Sequence, residues 1–298
     1  SNAVGMGGAY TSIAKDATAM YWNPAGLSFH DTKEVYFNHA NWIADISFDY
    51  FGITFPMNNK SVLGFNITSV TMDEMEVTRY GNEDTGETFR AADYAIGSTY
   101  ALDLTDRFSV GFNGKYIQQS IANSHAKGFA VDFGTLFITP FGFTLGTSIS
   151  NFGPKLKMSG DDLLVGADVD ENIEGNNESV TGILSTDYFD LPLVLRIGIS
   201  DEFQIGVRNK LVVSLDAISP NDNANYINTG AKIHLFDGLI SLYAGLNSLF
   251  LENAESEFSF GGGLTIPQIL NNSLSIYFTH EQMKFLGNSQ QLSISFNY

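Results

Sequence analysis

The chain has 298 residues and a formal charge of −18, with 29 Gly, 24 Phe and 13 Tyr, only 7 Pro, no Cys, and 16% charged residues. Without Cys it has no disulfide framework, thiol nucleophile or cysteine metal site, and so acidic a chain lacks the basic face that a nucleic-acid partner needs. Soluble proteins carry about 25% charged residues, so part of this surface is expected to face something less polar than water, and no apolar run approaches the roughly 18 residues of a membrane-spanning helix.

Ser1-Asn2-Ala3 is either native or a protease scar from cloning and enters no functional argument, and no charged or apolar leader precedes the Gly-rich run, so any secretory signal is expected to have been removed or left out. Residues 1 to 30 do not alternate. They hold a cluster at Gly5, Gly7 and Gly8, a helix-compatible stretch entered through Asp16 as N-cap, and the turn Asn23-Pro24-Ala25-Gly26. Small side chains permit close approach to surrounding walls, as a compact insert inside a barrel requires.

From Glu34 onward apolar and polar residues alternate, the period of a strand whose faces meet different environments. About fourteen strands are expected, near 34 to 42, 46 to 57, 61 to 71, 91 to 103, 107 to 120, 127 to 139, 142 to 152, 190 to 200, 209 to 218, 225 to 235, 239 to 249, 256 to 266, 273 to 280 and 288 to 298. Leu292, Ile294, Phe296 and Tyr298 against Gln291, Ser293, Ser295 and Asn297 show the pattern, as do Leu191, Leu193, Leu195 and Ile197 against Pro192, Val194, Arg196 and Gly198. Every second connection is short, including Asn58 to Lys60, Leu104 to Asp106, Pro140 to Phe141 and Asp201 to Arg208, while the other set holds Met72 to Arg90 and Gly153 to Asp190. Short turns on one side and long loops on the other, with an even strand number, are the pattern of an all-β transmembrane antiparallel barrel with both termini on one side. A soluble β-sandwich or lipocalin also alternates. The presumed inward face, however, carries Asn66, Asn113, Lys115, Asp132, Arg196, Asp216, Lys232 and His234, which suits a hydrated or plugged lumen with lipid outside.

The runs GMGGAY and KDATAMYWNPAGL, followed by FNHANWIADISFDYFGITFP, DYAIGSTYALDLTDRFSVGFNGKYIQQSI, FAVDFGTLF and SISNFGPKLKMSGDDL, resemble the PorV/PorQ family and, more distantly, the FadL/TodX group of hydrophobic-compound transporters. The resemblance covers most of the first 165 residues, and the remainder matches mainly as barrel pattern. It implies a fourteen-stranded FadL-like barrel in the outer membrane of a diderm bacterium, with residues 1 to 30 as an N-terminal hatch or plug and residues 31 to 298 as the barrel, termini periplasmic. PorV-like proteins serve type IX secretion, where one associates with a large translocon barrel and takes secreted cargo. FadL-like proteins pass hydrophobic small molecules past a movable hatch whose Asn-Pro-Ala turn corresponds to Asn23, Pro24 and Ala25. The first function is expected here, with outer-membrane lipid around the wall and no cofactor; the transporter is the alternative. The chain is shorter than typical members of either group, which puts loop-borne functions in question.

Catalysis is not expected, because His30, His39, His125, His234 and His280 are scattered and spacing supports no Ser/His or Asp/His pairing. The loop with Asp161, Asp162, Asp168, Asp170, Glu171, Glu174 and Glu178 superficially resembles a calcium loop, but Ile173 stands where the sharp-turn Gly belongs and Ser179 where the bidentate Glu belongs, so a solvated acidic loop is expected and no metal. Phe296 and Tyr298 resemble the terminal signal read by barrel-assembly machinery, and an interfacial aromatic anchor is compatible with that.

Overall fold

Segments that meet one environment on each face pair into a single sheet. The computed structural model describes residues 1–81, 85–167, 180–252, 254–267 and 272–298. Fourteen long strands alternate in direction: β1 (Glu34–Asn41), β2 (Ser47–Asn58), β3 (Ser61–Thr71), β4 (Ala91–Thr105), β5 (Phe108–Ile121), β6 (Ser124–Ile138) and β7 (Thr144–Phe152). They continue as β8 (Val194–Ile205), β9 (Asn209–Pro220), β10 (Tyr226–Leu235), β11 (Ile240–Leu249), β12 (Ser256–Pro267), β13 (Ser273–Met283) and β14 (Asn288–Asn297). Each pairs with the next, and β1 pairs with β14 from Glu34↔Asn297 to Asn41↔Gln290, so the sheet closes on itself. Closure removes the open edges that a sheet cannot carry in hydrocarbon.

The two faces differ as a lipid-embedded barrel requires. Inward positions are polar or small and buried: Asn38, Thr54, Asn66, Thr99, Asn113, Asp132, Ser214, Asp216, Asn228, Ser259 and Thr279. Their neighbours along the strands are large and exposed, among them Phe37, Phe51, Phe65, Ile96, Phe112, Ile197, Leu215, Leu242, Phe260 and Leu292. Left in water, side chains of this size would each forgo roughly 1.5–3 kcal/mol of burial, so the belt is built for acyl chains.

The strand ends joining β2 to β3, β4 to β5, β6 to β7, β8 to β9, β10 to β11 and β12 to β13 lie at one end of the barrel, where 59–60, 106–107, 139–143, 206–208 and 236–239 are short turns, and the remaining joins, among them 42–46, 122–123, 221–225 and 284–287, start and finish at the other. The run of strands begins and finishes at the short-turn end. Loop 42–46 is short because Ala44 and Asp45 adopt φ of 51° and 59°, the geometry of a tight hairpin turn.

Two expectations need correction. The strand expected over 190 to 200 starts at Val194: Pro192 cannot donate to a ladder, and Leu191, instead of facing lipid, turns inward and is buried on Ala126, Ala130 and Leu156. The turn expected over Asp201 to Arg208 is only 206–208, because β8 pairs with β9 as far as Ile205↔Asn209. Within loop 153–193, Leu156–Lys157 pairs with Tyr188–Phe189 and Leu164–Ala167 with Val180–Ile183. The acidic residues Asp168, Asp170, Glu171, Glu174 and Glu178, with Ile173 and Ser179, lie outside the described residues.

Candidate functional site

Residues 1–29 contain only short helical turns, Asn2–Gly5, Ala19–Trp22 and Pro24–Phe29, far below the length at which a helix is stable alone. Their conformation is set by the barrel wall. The segment contacts inward residues of strands around the ring, and its apolar side chains Met6, Tyr10, Met20 and Leu27 cluster with Tyr36, Tyr50, Val62 and Tyr243 of the wall.

Glycine on both sides permits the approach. A Cβ at Gly111 would stand 2.2 Å from the Pro24 carbonyl carbon, at Gly134 2.0 Å from Asn23 Oδ1, at Gly230 2.3 Å from Met6 O and at Gly245 2.1 Å from Met6 C. From the segment's side, a Cβ at Gly5 would strike the Tyr243 ring at 2.1 Å and one at Gly26 would strike Ala14 O at 1.7 Å. Gly7 and Gly8 also adopt φ of +65° and +76°, which side chains resist.

Hydrogen bonds fix the register. Asp216, fully buried, accepts the Tyr10 and Thr11 N–H groups at 2.9 and 2.8 Å. Glu34 accepts the Ala17 N–H at 2.7 Å and the Ser295 hydroxyl at 2.5 Å. Asn23 caps the last turn by accepting from Ala25 N at 3.2 Å, while its amide donates to Thr11 O and Thr135 O at 2.8 and 3.0 Å. Pro24 follows as the first residue of that turn. Asp16 is not the N-cap expected of it. The helix begins after Thr18, and Asp16 instead accepts from Thr18 N at 2.9 Å and from the Tyr10 hydroxyl at 3.1 Å.

The charged wall residues serve several kinds of partner rather than pairing only with one another. Lys115 pairs with Asp132 at 2.8 Å. Asp216 serves the backbone of residues 10 and 11, and Arg196 donates to Ser150 Oγ at 2.9 Å with its guanidinium 5.5 Å from the Trp22 ring centre. Asp132 is a hub: it also accepts from Asn113 Nδ2 at 2.9 Å and from Asn151 N at 2.7 Å. Asn113 donates onward to Met20 O at 3.2 Å, and Asn151 Nδ2 to Pro192 O at 2.8 Å. A hydrogen-bonded path thus joins the N-terminal segment to the longest loop.

Cavities flank the segment. One of about 260 Å³ opens toward the loop side between Tyr21, Trp22, Tyr36, Trp42, Phe48 and Tyr50, with Ser1 on its border; another of about 170 Å³ lies over Met20 and Tyr21 beside Lys115, Asp132 and Leu191. A third, of about 170 Å³ and charged, lies at the short-turn end by Lys15, Glu202, Lys232 and His234. The aromatic cavity therefore borders residues 1–4 and 18–22 rather than Asn23 to Leu27.

Sequence spacing missed two pairings that strand register creates: His39 faces Asp49 at 2.8 Å, and His234 meets Ser241 Oγ at 3.0 Å. The second nitrogen of His39 meets Asn41 Oδ1 at 3.1 Å, so that outward pair addresses no nucleophile. No group of three or more His, Asp or Glu able to hold a metal occurs among the described residues. At the end of the chain Phe296 and Tyr298 stack with ring centres 5.7 Å apart, and Lys33 Nζ lies 5.6 Å from the Tyr298 ring.

A family model described as "Type IX secretion system protein PorV" matches residues 1–163. Among solved structures, the Pseudomonas putida toluene transporter TodX is similar at 12% identity and a TM-score of 0.62, over 99% of this chain and 96% of that one. A Pseudomonas aeruginosa FadL homologue gives 14% and 0.60 over 100% and 97%, and the CymD monoaromatic hydrocarbon channel gives 14% and 0.61 over 99% and 95%. At such identities the likeness concerns the fold. No curated protein sequence matches the chain.

Proposed function

The chain belongs to the PorV family of type IX secretion system proteins, and from that premise we propose that it is a non-enzymatic outer-membrane component that binds a large translocon barrel, secreted cargo polypeptides, or both. The observation carrying this reading is the extent of the family match, which runs beyond the N-terminal segment through seven strands and into the longest loop. Residues 1–30 act as a plug, held by wall glycines, Asp216 and Glu34, so that polypeptide binding takes place on the loops and the outer rim instead of through an open lumen. The short-turn end faces the periplasm, and outer-membrane lipid surrounds the apolar belt. Phe296 and Tyr298 serve as assembly signal and interfacial anchor.

The test is affinity purification from native membranes in mild detergent. Co-recovery of a large outer-membrane barrel is expected. Recovery of this protein alone, together with unimpaired secretion in a deletion strain, would refute the proposal. Passage of small hydrophobic molecules is the second reading, and the aromatic cavity beside Tyr21 and Trp22 favours it. It predicts toluene uptake by proteoliposomes carrying the protein, and loss of that uptake when Trp22 or Tyr50 is replaced by Ser.

A further inference from the structure

Two cations inside the barrel differ from the others. On the inward face of the wall Lys115 pairs with Asp132 at 2.8 Å, Lys210 with Glu202 at 2.5 Å, and Arg196 donates to Ser150 Oγ at 2.9 Å. Lys15 of the N-terminal segment and Lys232 of β10 have no such oxygen among the described residues. Each has a ring for a neighbour instead: Lys15 Nζ lies 5.1 Å from the Phe29 centre and Lys232 Nζ 5.7 Å from the Tyr277 centre. A ring face attracts the charge but offers no lone pair to the three N–H donors of an ammonium group. Both lysines line the cavity of about 170 Å³ at the short-turn end.

Neutral donors join them there. Thr144 of β7 and Ser200 of β8 line the same cavity, and neither hydroxyl has a partner among the described residues. His234 of β10 meets Ser241 Oγ through Nδ1, which leaves Nε2 uncommitted. The nearby carboxylates are engaged elsewhere. Glu202 is held by Lys210, and Asp201, which follows the inward Ser200 and so projects to the other face of the strand, accepts the Glu202 N–H at 2.8 Å. Asp16, outside the lining, accepts from Thr18 N at 2.9 Å and from the Tyr10 hydroxyl at 3.1 Å. In a chain of formal charge −18, this cavity offers uncommitted positive charge and hydroxyl donors.

We propose that Lys15, Lys232, His234, Thr144 and Ser200 form a binding site for a tetrahedral oxyanion of the phosphate type, taken from the aqueous phase at the short-turn end. Two ammonium groups on one cavity repel each other and together attract an anion. Donors that arrive from the segment and from three strands converge from several directions. A phosphate has four oxygens to meet them, whereas a carboxylate has two. The cavity holds several times the share of one water molecule, about 30 Å³, so the group fits. Its lining stands on the inward face, with the wall between it and the lipid, which favours a free anion over a headgroup. Lys15 belongs to the segment and the other four residues to the wall, so the bound anion ties one to the other and adds to the seating of residues 1–29. The inference goes beyond the proposed function and is independent of which polypeptide the protein binds.

The experiment titrates inorganic phosphate into the full chain in phosphatidylcholine nanodiscs, by calorimetry at constant ionic strength with chloride as the control anion. Saturable binding of phosphate is expected, with slower amide exchange at Ser12 to Lys15 when it is bound. Lys15→Gln and Lys232→Gln should each weaken binding at least about tenfold, the equivalent of about 1.4 kcal/mol. Lys127→Gln, an exposed change toward the loop end of β6, should leave it unaltered. Lys15 is itself exposed, so its variant keeps the test informative if Lys232→Gln fails to fold. Absent binding, equal heats with chloride, undiminished affinity in Lys15→Gln, exchange indifferent to phosphate, or binding that appears only when the disc contains phosphatidylglycerol would overturn the inference.

Discussion

Replacing Asp216 by Ala tests whether the wall holds the N-terminal segment in place. One carboxylate oxygen accepts both the Tyr10 and the Thr11 N–H, at 2.9 and 2.8 Å, in a fully buried position. Hydrogen bonds to a charged acceptor contribute about 1.5–3 kcal/mol each, so their loss should weaken docking by about 3–6 kcal/mol. Asp216→Asn keeps a carbonyl oxygen that reaches both donors and should cost less than half as much. Because about 1.4 kcal/mol is a factor of ten, amide hydrogen exchange at Tyr10 and Thr11 should accelerate by at least about a hundredfold in the Ala variant, with exchange in β1 to β3 unchanged. Unaltered protection of those two amides in a folded D216A barrel would show that the segment is held by packing alone.

Gly111→Val places side-chain atoms where Pro24 and Ala25 run, and should dislodge residues 23–27 and raise planar-bilayer conductance while the barrel keeps its heat-modifiable gel mobility. Deleting residues 4–28 should open a steady pore, and steady conductance from the intact protein would refute the plug. Asp132→Ala leaves the Lys115 ammonium hydrogen-bonded to Asn151 Oδ1 but without its carboxylate, and frees the Asn151 N–H; breaking such a buried pair costs up to about 3–5 kcal/mol, and limited proteolysis should then cut 153–160 and 188–193 faster, with Lys115→Met in the same chain restoring resistance. Burial holds the His30 imidazole below its ordinary pKa of 6.5. A depressed histidine contributes stability that is present above the unfolded value and lost as pH falls through the folded one. Exchange around residues 27–31, corrected for intrinsic rates, should therefore rise below about pH 6, and His30→Gln should flatten that dependence.

The wall was legible because lipid outside and polar contacts inside impose a period of two that survives in composition, and every expected strand is present with ends displaced by a few residues. At Leu191 the displacement also turns a side chain over: it continues the outward pattern in sequence but is turned inward by the chain around Pro192. The anchoring of the N-terminal segment was only partly legible. Its glycines and the Asn23-Pro24 turn stand out, whereas the residues that receive it are distant in the chain: Asp216 meets Tyr10 across 206 positions and Ser259 meets Gly7 across 252. Glycines such as Gly111 and Gly230 look like ordinary inward small residues until the segment lies against them. Asp16 was misplaced for the converse reason, since the strong capping preference of Asp was satisfied in the turn before the helix. The His39–Asp49 pair depends on register alone.

The seam between β1 and β14 has a consequence for biogenesis. Asn38 accepts from Ser293 across it at 2.7 Å, Tyr36 donates to Ser293 at 2.9 Å, and Ser295 donates to Glu34, which in turn holds Ala17. The two strands that zip the cylinder shut are thus those made first and last among the fourteen, and one of them also tethers the N-terminal segment. A nascent barrel truncated anywhere before β14 has an open cylinder and a Glu34 without its Ser295 donor. Closure of the wall and seating of the N-terminal segment thus share one carboxylate, and a protease would meet an unfinished chain in which Glu34 lacks its Ser295 donor and the segment is held less firmly.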